Sequence, residues 1–61
     1  MELLVAIQIV EGDKESSEEQ CVAAWQWLID QGHVWSLQGW YGRTAVQLIE
    51  DGVCTPAFAN R

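Results

Sequence analysis

Carboxylates are the side chains of this 61-residue chain with the greatest capacity for chemistry, since nine acids outnumber three Lys and Arg residues and one His. Two carboxylate pairs are adjacent in sequence, Glu18–Glu19 and Glu50–Asp51. Neighbouring side chains on a helix point to different sides, so the members of either pair cannot face one substrate together. The sequence therefore offers no paired carboxylates for general acid and base catalysis.

The single histidine, His33, is followed three residues later by Ser36, but no third side chain that would orient the imidazole is evident. His33 comes after a glycine that we expect to end a helix, where a capping or surface role is the simpler interpretation. Nucleophile and phosphate-binding motifs are absent from the sequence, and so small a chain has little room for a substrate pocket. We predict a protein that is not an enzyme and uses no cofactor.

The two cysteines, Cys21 and Cys54, form no CxxC motif, and with one His they predict no conventional zinc site. A single disulfide is one interpretation. The first residues lack the basic start and small-residue cleavage site of a signal peptide, which favours reduced thiols in the cytoplasm. No apolar run approaches the ~20 residues that a membrane-spanning helix needs.

The formal net charge of −6 disfavours nucleic acid and anionic membranes as direct partners, because both require clustered cations. It allows a basic protein partner, or mimicry of the charge of a nucleic acid. The acids are concentrated between residues 11 and 19, where Glu15, Glu18 and Glu19 precede or begin a helix. Two interpretations stay open for this run: a solvated helix start, and an electrostatic docking surface.

Helical patterns predict an all-α fold, a compact bundle of three to four short helices formed by residues 1–56 with a tail at 57–61. Two helix ends have the same design, since Leu28-Ile29 and Leu48-Ile49 are each followed by acidic or amide residues and then by Gly32 or Gly52. Glycine enters the left-handed conformation that commonly ends helices without a steric penalty. We interpret the similarity as the same type of helix termination occurring twice. Duplication of a sequence segment is the alternative.

The first ten residues are almost continuously apolar and fit either a strand or a helix. The helix is favoured because no second strand is evident to pair with a first. Apolar burial and conformational entropy both come to about 90 kcal/mol for a chain of this size, so a monomer would be marginally stable. We therefore expect a homodimer, with the first helix as its self-association surface through Leu3, Leu4, Ile7 and Val10.

A second helix is predicted to begin with a capping box formed by Ser16 and Glu19 and to run to about residue 31. Its buried stripe is expected to contain Cys21, Ala24, Trp25 and Leu28. Trp27 falls on the other side of the helix, either covered by another element or exposed to a partner.

A short segment follows, in which we expect Val34, Trp35 and Leu37 to be partly buried. The last helix is predicted at residues 41–51, with Tyr41, Ala45, Leu48 and Ile49 facing inward. Gly42 is a poor helix former, which indicates a close crossing with another element such as the Trp35 segment. Arg43 is expected on the outer face, within reach of Glu50.

The string Leu-Gln-Gly at residues 37–39, followed by Tyr-Gly-Arg-Thr-Ala at 41–45, is distinctive. Together with the sequence around it, over residues 18–54, it resembles a family of short bacteriophage proteins. That family tends to carry a small residue where Trp40 stands, so this chain adds an aromatic ring there. The resemblance implies a phage accessory protein acting in the cytoplasm of a bacterial host, and it carries over no catalytic residue.

These observations predict a small acidic protein that binds a host bacterial protein; whether binding inhibits that protein stays open. Trp27, Trp40 and Arg43 are the expected contacts, because Trp and Arg dominate interface energetics. One alternative is a nucleic-acid charge mimic acting against CRISPR or restriction systems through Glu15, Glu18 and Glu19. Another is a structural protein that associates with itself and has no host target.

Overall fold

The computed structural model describes residues 1–12 and 15–56. Three α-helices span Leu3–Val10 (α1), Glu18–Asp30 (α2) and Gly39–Glu50 (α3), and a 3-10 helix at His33–Trp35 connects α2 to α3. The described residues contain no strand, so the predicted all-α bundle is confirmed. The predicted tail at 57–61 lies outside the described residues.

The first segment is a helix, as expected, and it packs on α2. Ala6 is completely buried, and Leu3, Ile9 and Val10 pack against the core around it. Ile7 is also partly buried, but it is not among the side chains that pack against the core.

The start of α2 is one residue later than predicted. Ser17 is the N-cap, and its hydroxyl accepts a 3.1 Å hydrogen bond from the Gln20 backbone N–H, while the Gln20 side chain accepts one of 2.8 Å from the Ser17 N–H. The prediction of Ser16 and Glu19 as the capping pair was therefore wrong. Glutamine fills the return position of a capping box as well as glutamate does, so spacing alone did not separate the two registers.

The two glycine helix ends have nearly the same backbone, with φ of 78° at Gly32 and 79° at Gly52. After α3, the Val53 N–H donates to the Leu48 carbonyl at 2.9 Å and the Gly52 N–H donates to the Ile49 carbonyl at 3.1 Å. This is the complete Schellman ending that the sequence predicts. Both glycines satisfy carbonyls that the helices leave free and turn the chain back toward the core.

The segment after Gly32 differs from expectation in one important respect. Val34 is fully buried, but Trp35 is 56% exposed rather than partly buried. The last helix also begins earlier, at Gly39, and ends at Glu50. Since α3 starts two residues sooner, Trp40 belongs to its first turn.

The core is small, and alanines and aromatic rings provide much of it. Ala6 and Ala24 are both fully buried where α1 crosses α2. Large rings link α2 to α3, since the Trp25 and Tyr41 centroids lie 5.9 Å apart. The buried residues of this core are Ala6, Ala24, Trp25, Leu28, Ile29, Val34, Tyr41, Ala45 and Cys54.

Candidate functional site

The solvent-facing side of α3 carries the most distinctive surface of the described residues. Trp40, Arg43 and Val46 are exposed there, and the exposed ring of Trp35 packs along one flank. At 100° per residue, Arg43 lies about 60° around the helix from both Trp40 and Val46. We call Trp35, Trp40, Arg43 and Val46 the α3 face. Trp40 and Val46 flank Arg43 around the helix, and Trp35 lies against Gly42 at the edge beyond Val46.

Trp40 is held in place by other aromatic rings. Its ring meets Trp25 edge-to-face at a centroid distance of 6.1 Å and lies 4.1 Å from the centroid of Tyr41. It nevertheless keeps 36% of its surface exposed. Edge-to-face packing of this kind contributes about 0.5–1.5 kcal/mol, so the exposed part of Trp40 belongs to a pre-ordered ring.

Trp35 packs across the glycine of α3. A β-carbon built on Gly42 would lie 3.6 Å from Cε3 of Trp35 and 3.7 Å from the Val34 carbonyl oxygen. The predicted close crossing between Gly42 and the Trp35 segment is therefore confirmed. The absence of a side chain at Gly42 lets one side of the indole lie on the helix while the remainder faces solvent.

Arg43 projects from the outer side of α3, as predicted. Its guanidinium folds back over the first turn, since Nη1 lies 3.3 Å from the position of a β-carbon on Gly39. Among the described residues we find no ion pair between Arg43 and Glu50, the partner that the sequence offered. The position of Arg43 on the helix lies between those of Trp40 and Val46.

Trp27 has a different environment from the other predicted contacts. Its ring is partly buried against the core and tilts over the imidazole of His33 at a centroid distance of 5.4 Å. His33 is itself partly buried and thus covers an aromatic ring. Trp27 is consequently not part of the α3 face.

The acidic residues singled out in the sequence lie at the start of α2. Glu15, Glu18 and Glu19 are all exposed, and the last two belong to the first turn of the helix. Carboxylates there interact favourably with the positive end of the helix dipole. Glu18 and Glu19 also border a shallow groove along α2, whose apolar floor is formed by Val22 and Ala23.

The residues of α1 that were predicted to mediate self-association are divided between two environments. Leu3 and Val10 pack against the core, Ile7 is partly buried, and Leu4 is 66% exposed. Val5, next to Leu4, and Met1, about one turn before it, are also exposed. The outer side of α1 is therefore a second apolar surface.

Tyr41 and Cys54 are buried ionisable groups with raised pKa values. The buried hydroxyl of Tyr41 donates a hydrogen bond to the carboxylate of Glu11, the residue that caps the end of α1. Burial, this hydrogen bond and the negative charge of Glu11 together raise the pKa of Tyr41 to about 12. Burial, and then the charge of Asp30, raise the pKa of the Cys54 thiol.

Both cysteines are free thiols, with Cys54 buried and Cys21 partly buried. Within residues 1–12 and 15–56, no group of three His, Cys, Asp or Glu side chains is arranged to hold a metal ion. Of the helices in this described part of the chain, none combines the length and the apolar character required to cross a bilayer.

Sequence reasoning missed Trp35 and Val46 as surface residues. A helical wheel would have placed Val46 beside Arg43, since both lie opposite Tyr41 and Ala45. No comparable signal existed for Trp35, because a three-residue 3-10 helix is too short for its periodicity to distinguish an inner from an outer side.

Comparison with known proteins adds a family but no activity. A family model described as a domain of unknown function (DUF7417) matches residues 3–59. No curated protein matches the chain significantly, and no solved structure does so either.

Proposed function

We propose that this chain, which belongs to the DUF7417 family, acts without catalysis by binding another protein through the α3 face. The observation that carries the proposal is the joint exposure of Trp35, Trp40 and the cationic Arg43 on and beside α3. Contiguous exposed apolar surface on a soluble protein commonly marks an interaction site.

The chemistry of the α3 face suits a protein partner. Trp and Arg are the residue types most enriched among those that dominate binding energy, and Trp40 is pre-ordered by Trp25 and Tyr41. A ring that is already ordered loses little conformational entropy on binding. A standard interface takes about 800 Å² from each partner. That is roughly a fifth of the 4141 Å² accessible surface of this chain.

The resemblance of residues 37–45 to short bacteriophage proteins supports a host bacterial protein as the partner, met in the host cytoplasm. Occupying a functional surface of that protein would inhibit it. Because the net charge is −6, the partner is expected to be neutral or basic around the contact, with an acidic group opposite Arg43.

Affinity capture from a bacterial lysate with the 61-residue chain, followed by mass spectrometry, tests this proposal. Trp35→Ala and Arg43→Ala should each reduce capture of the same host protein about tenfold or more. Leu4→Ala is a matched control, because it removes an apolar side chain from α1 that is at least as exposed as Trp35. Circular dichroism would establish that each variant remains folded.

Equal capture by all three variants would contradict the proposal. Loss of capture with Leu4→Ala alone would move the binding surface to α1. Trp40→Ala is a further variant of interest. Because Trp40 also packs on Trp25, the stability of this variant must be measured to separate lost binding from lost folding.

A second candidate function is mimicry of nucleic-acid charge against a host defence protein. It is supported by the exposure of Glu15, Glu18 and Glu19 around the start of α2. Its partner would be a nucleic-acid-binding protein, and raising the salt concentration should weaken the complex strongly. A complex that is insensitive to salt would contradict this mechanism and favour the α3 face.

Self-association is the third candidate, supported by the exposed apolar residues Met1, Leu4 and Val5. A homodimer formed through α1 would cover them. Sedimentation at low micromolar concentration should then give a dimer that Leu4→Glu dissociates. A monomer under these conditions would contradict this role while leaving the α3 face unaffected.

A further inference from the structure

The chemistry of the α3 face indicates what kind of surface would fit it. The face offers exposed indole surface at Trp40 and a cation at Arg43. Of the three Lys and Arg residues in the sequence, Arg43 is the one that lies in the described part of the chain. A complementary surface therefore needs an apolar area with carboxylates directly beside it.

The same chain carries a surface of this kind on α2. A shallow groove runs along the N-terminal half of that helix, with Val22 and Ala23 on its floor and with Glu18 and Glu19 at one end. Both glutamates and Ala23 are exposed, and Val22 is partly buried. The groove thus combines apolar and negative surface, where the α3 face combines apolar and positive surface.

The two surfaces also agree in their spacing. Trp40 and Arg43 are three residues apart on α3, and Glu19 and Val22 are three residues apart on α2. Each pair is therefore separated by about 4.5 Å along its helix axis. When the two helices lie antiparallel, Trp40 reaches the level of Val22 where Arg43 reaches the level of Glu19.

We propose that the α3 face of one chain binds the α2 groove of a second copy, with Trp40 on Val22 and with Arg43 paired to Glu18 or Glu19. The contact has to join two copies, because within one chain α2 and α3 already face each other through Trp25 and Tyr41. The inference rests on the α3 face being a binding surface, as proposed above. A second copy and a host protein would compete for it, so self-association would regulate how much of the α3 face is free.

The negative charge of the whole chain decides the conditions under which this contact forms. Two copies with a formal charge of −6 repel each other at long range. At about 0.15 M salt the Debye length is about 8 Å, which screens distant charges more than a pair in direct contact. Self-association is therefore expected near this ionic strength, at micromolar to millimolar concentrations of the chain.

Sedimentation of the 61-residue chain under these conditions, with circular dichroism to establish folding, tests the proposal. Arg43→Glu, and Glu18→Arg with Glu19→Arg in one chain, should each weaken self-association about tenfold or more. The double variant changes the net charge from −6 to −2, so reduced overall repulsion would predict the opposite result. Mixing the two variants should restore association, because opposite charges then face each other across the contact.

Arg43→Gln and Gln8→Glu form a matched pair, since each makes the net charge one unit more negative and Gln8 is exposed on α1. Arg43→Gln should weaken self-association, and Gln8→Glu should leave it nearly unchanged. The reverse result would overturn the proposal and place the contact on α1.

A chain that stays monomeric over the whole concentration range, or a mixture of the charge-reversed variants that does not associate, would also overturn the proposal. Neither result would affect capture of a host protein through the α3 face. Self-association that depends on Arg43, without capture of any host protein, would support this inference and contradict the proposed function.

Discussion

The hydroxyl of Tyr41, in the first turn of α3, donates a hydrogen bond to the carboxylate of Glu11, which caps the last turn of α1. Thirty residues separate the two along the sequence. The bond joins the first helix to the last, while Trp25 packs against the same tyrosine ring from α2. One side chain thereby connects all three α-helices below the α3 face.

This link predicts a loss of stability at alkaline pH. The pKa of Tyr41 is raised from 10.0 to about 12, so the folded state holds the phenolic proton more tightly than the unfolded state. The stabilisation is therefore complete below pH 10 and is lost as the pH rises towards about 12. Because Tyr41 is the single tyrosine, ultraviolet difference absorbance can follow its ionisation without interference from another phenol.

Tyr41→Phe is the matched variant for this measurement. It keeps the buried ring and removes the donor, which should lower the free energy of unfolding at neutral pH by about 1 kcal/mol. The fall in stability between pH 10 and 12 should largely disappear. A variant that loses stability over this interval as steeply as the natural chain would show that another group is responsible.

Gly42 and Gly52 should respond in opposite directions to alanine. Gly42→Ala places a methyl group at van der Waals distance from Trp35 and removes a poor helix former, so a gain of up to about 1 kcal/mol is expected. Gly52→Ala forces a side chain into a left-handed conformation with φ near 79°, at a cost of about 1–2 kcal/mol. Urea denaturation of both variants measures the two effects.

Comparing Gly42→Ala with Gly52→Ala separates steric space from backbone conformation. If space alone mattered, Gly52→Ala would be the better tolerated substitution. Nothing lies within 4 Å of a β-carbon at Gly52, whereas the indole lies beside Gly42. A destabilised Gly42→Ala would mean that Trp35 cannot accept the extra methyl group, and that the glycine is required for the close crossing.

Gln26→Glu should release the segment after α3. The substitution keeps an acceptor for the Thr55 N–H but removes the Nε2 donor to the Thr55 carbonyl, and it places a carboxylate beside Asp30. A loss of about 1 kcal/mol is expected, with faster hydrogen exchange at the Thr55 amide. Gln47→Glu is the control, because Gln47 donates equivalently to Asp51 at 2.9 Å without reaching another segment.

If the two glutamate variants were equally destabilised, like-charge repulsion four residues apart would explain both results. The bond to Thr55 would then contribute little. A larger loss of stability in Gln26→Glu than in Gln47→Glu would measure the contribution of the hydrogen bonds between Gln26 and Thr55.

The two thiols should differ in reactivity. Cys54 is buried with a raised pKa, so a small fraction is thiolate at neutral pH, whereas Cys21 is partly exposed. With a thiol-specific reagent, Cys21→Ser should leave only a slow reaction and Cys54→Ser should retain the fast one. Equal rates would indicate that the segment around Cys54 opens as readily as α2.

Local sequence patterns were sufficient to predict the helices and where they end. The glycine endings of α2 and α3, the inward stripe through Ala24, Trp25 and Leu28, and the all-α class follow from periodicity and from the conformational freedom of glycine. These properties depend on residues within one or two turns of each other, which is why they can be predicted without coordinates.

Tertiary contacts decided which aromatic rings remain in solvent. Four tryptophans are equally hydrophobic in the sequence, but Trp25 is buried, Trp27 lies against His33, and Trp35 is left largely exposed beside Gly42. In the described part of the chain, the core includes three alanines and one buried indole, and the other three indoles lie at its edge or outside it. Which ring is excluded depends on the packing of α2, the 3-10 helix and α3 together, and no local pattern records that arrangement.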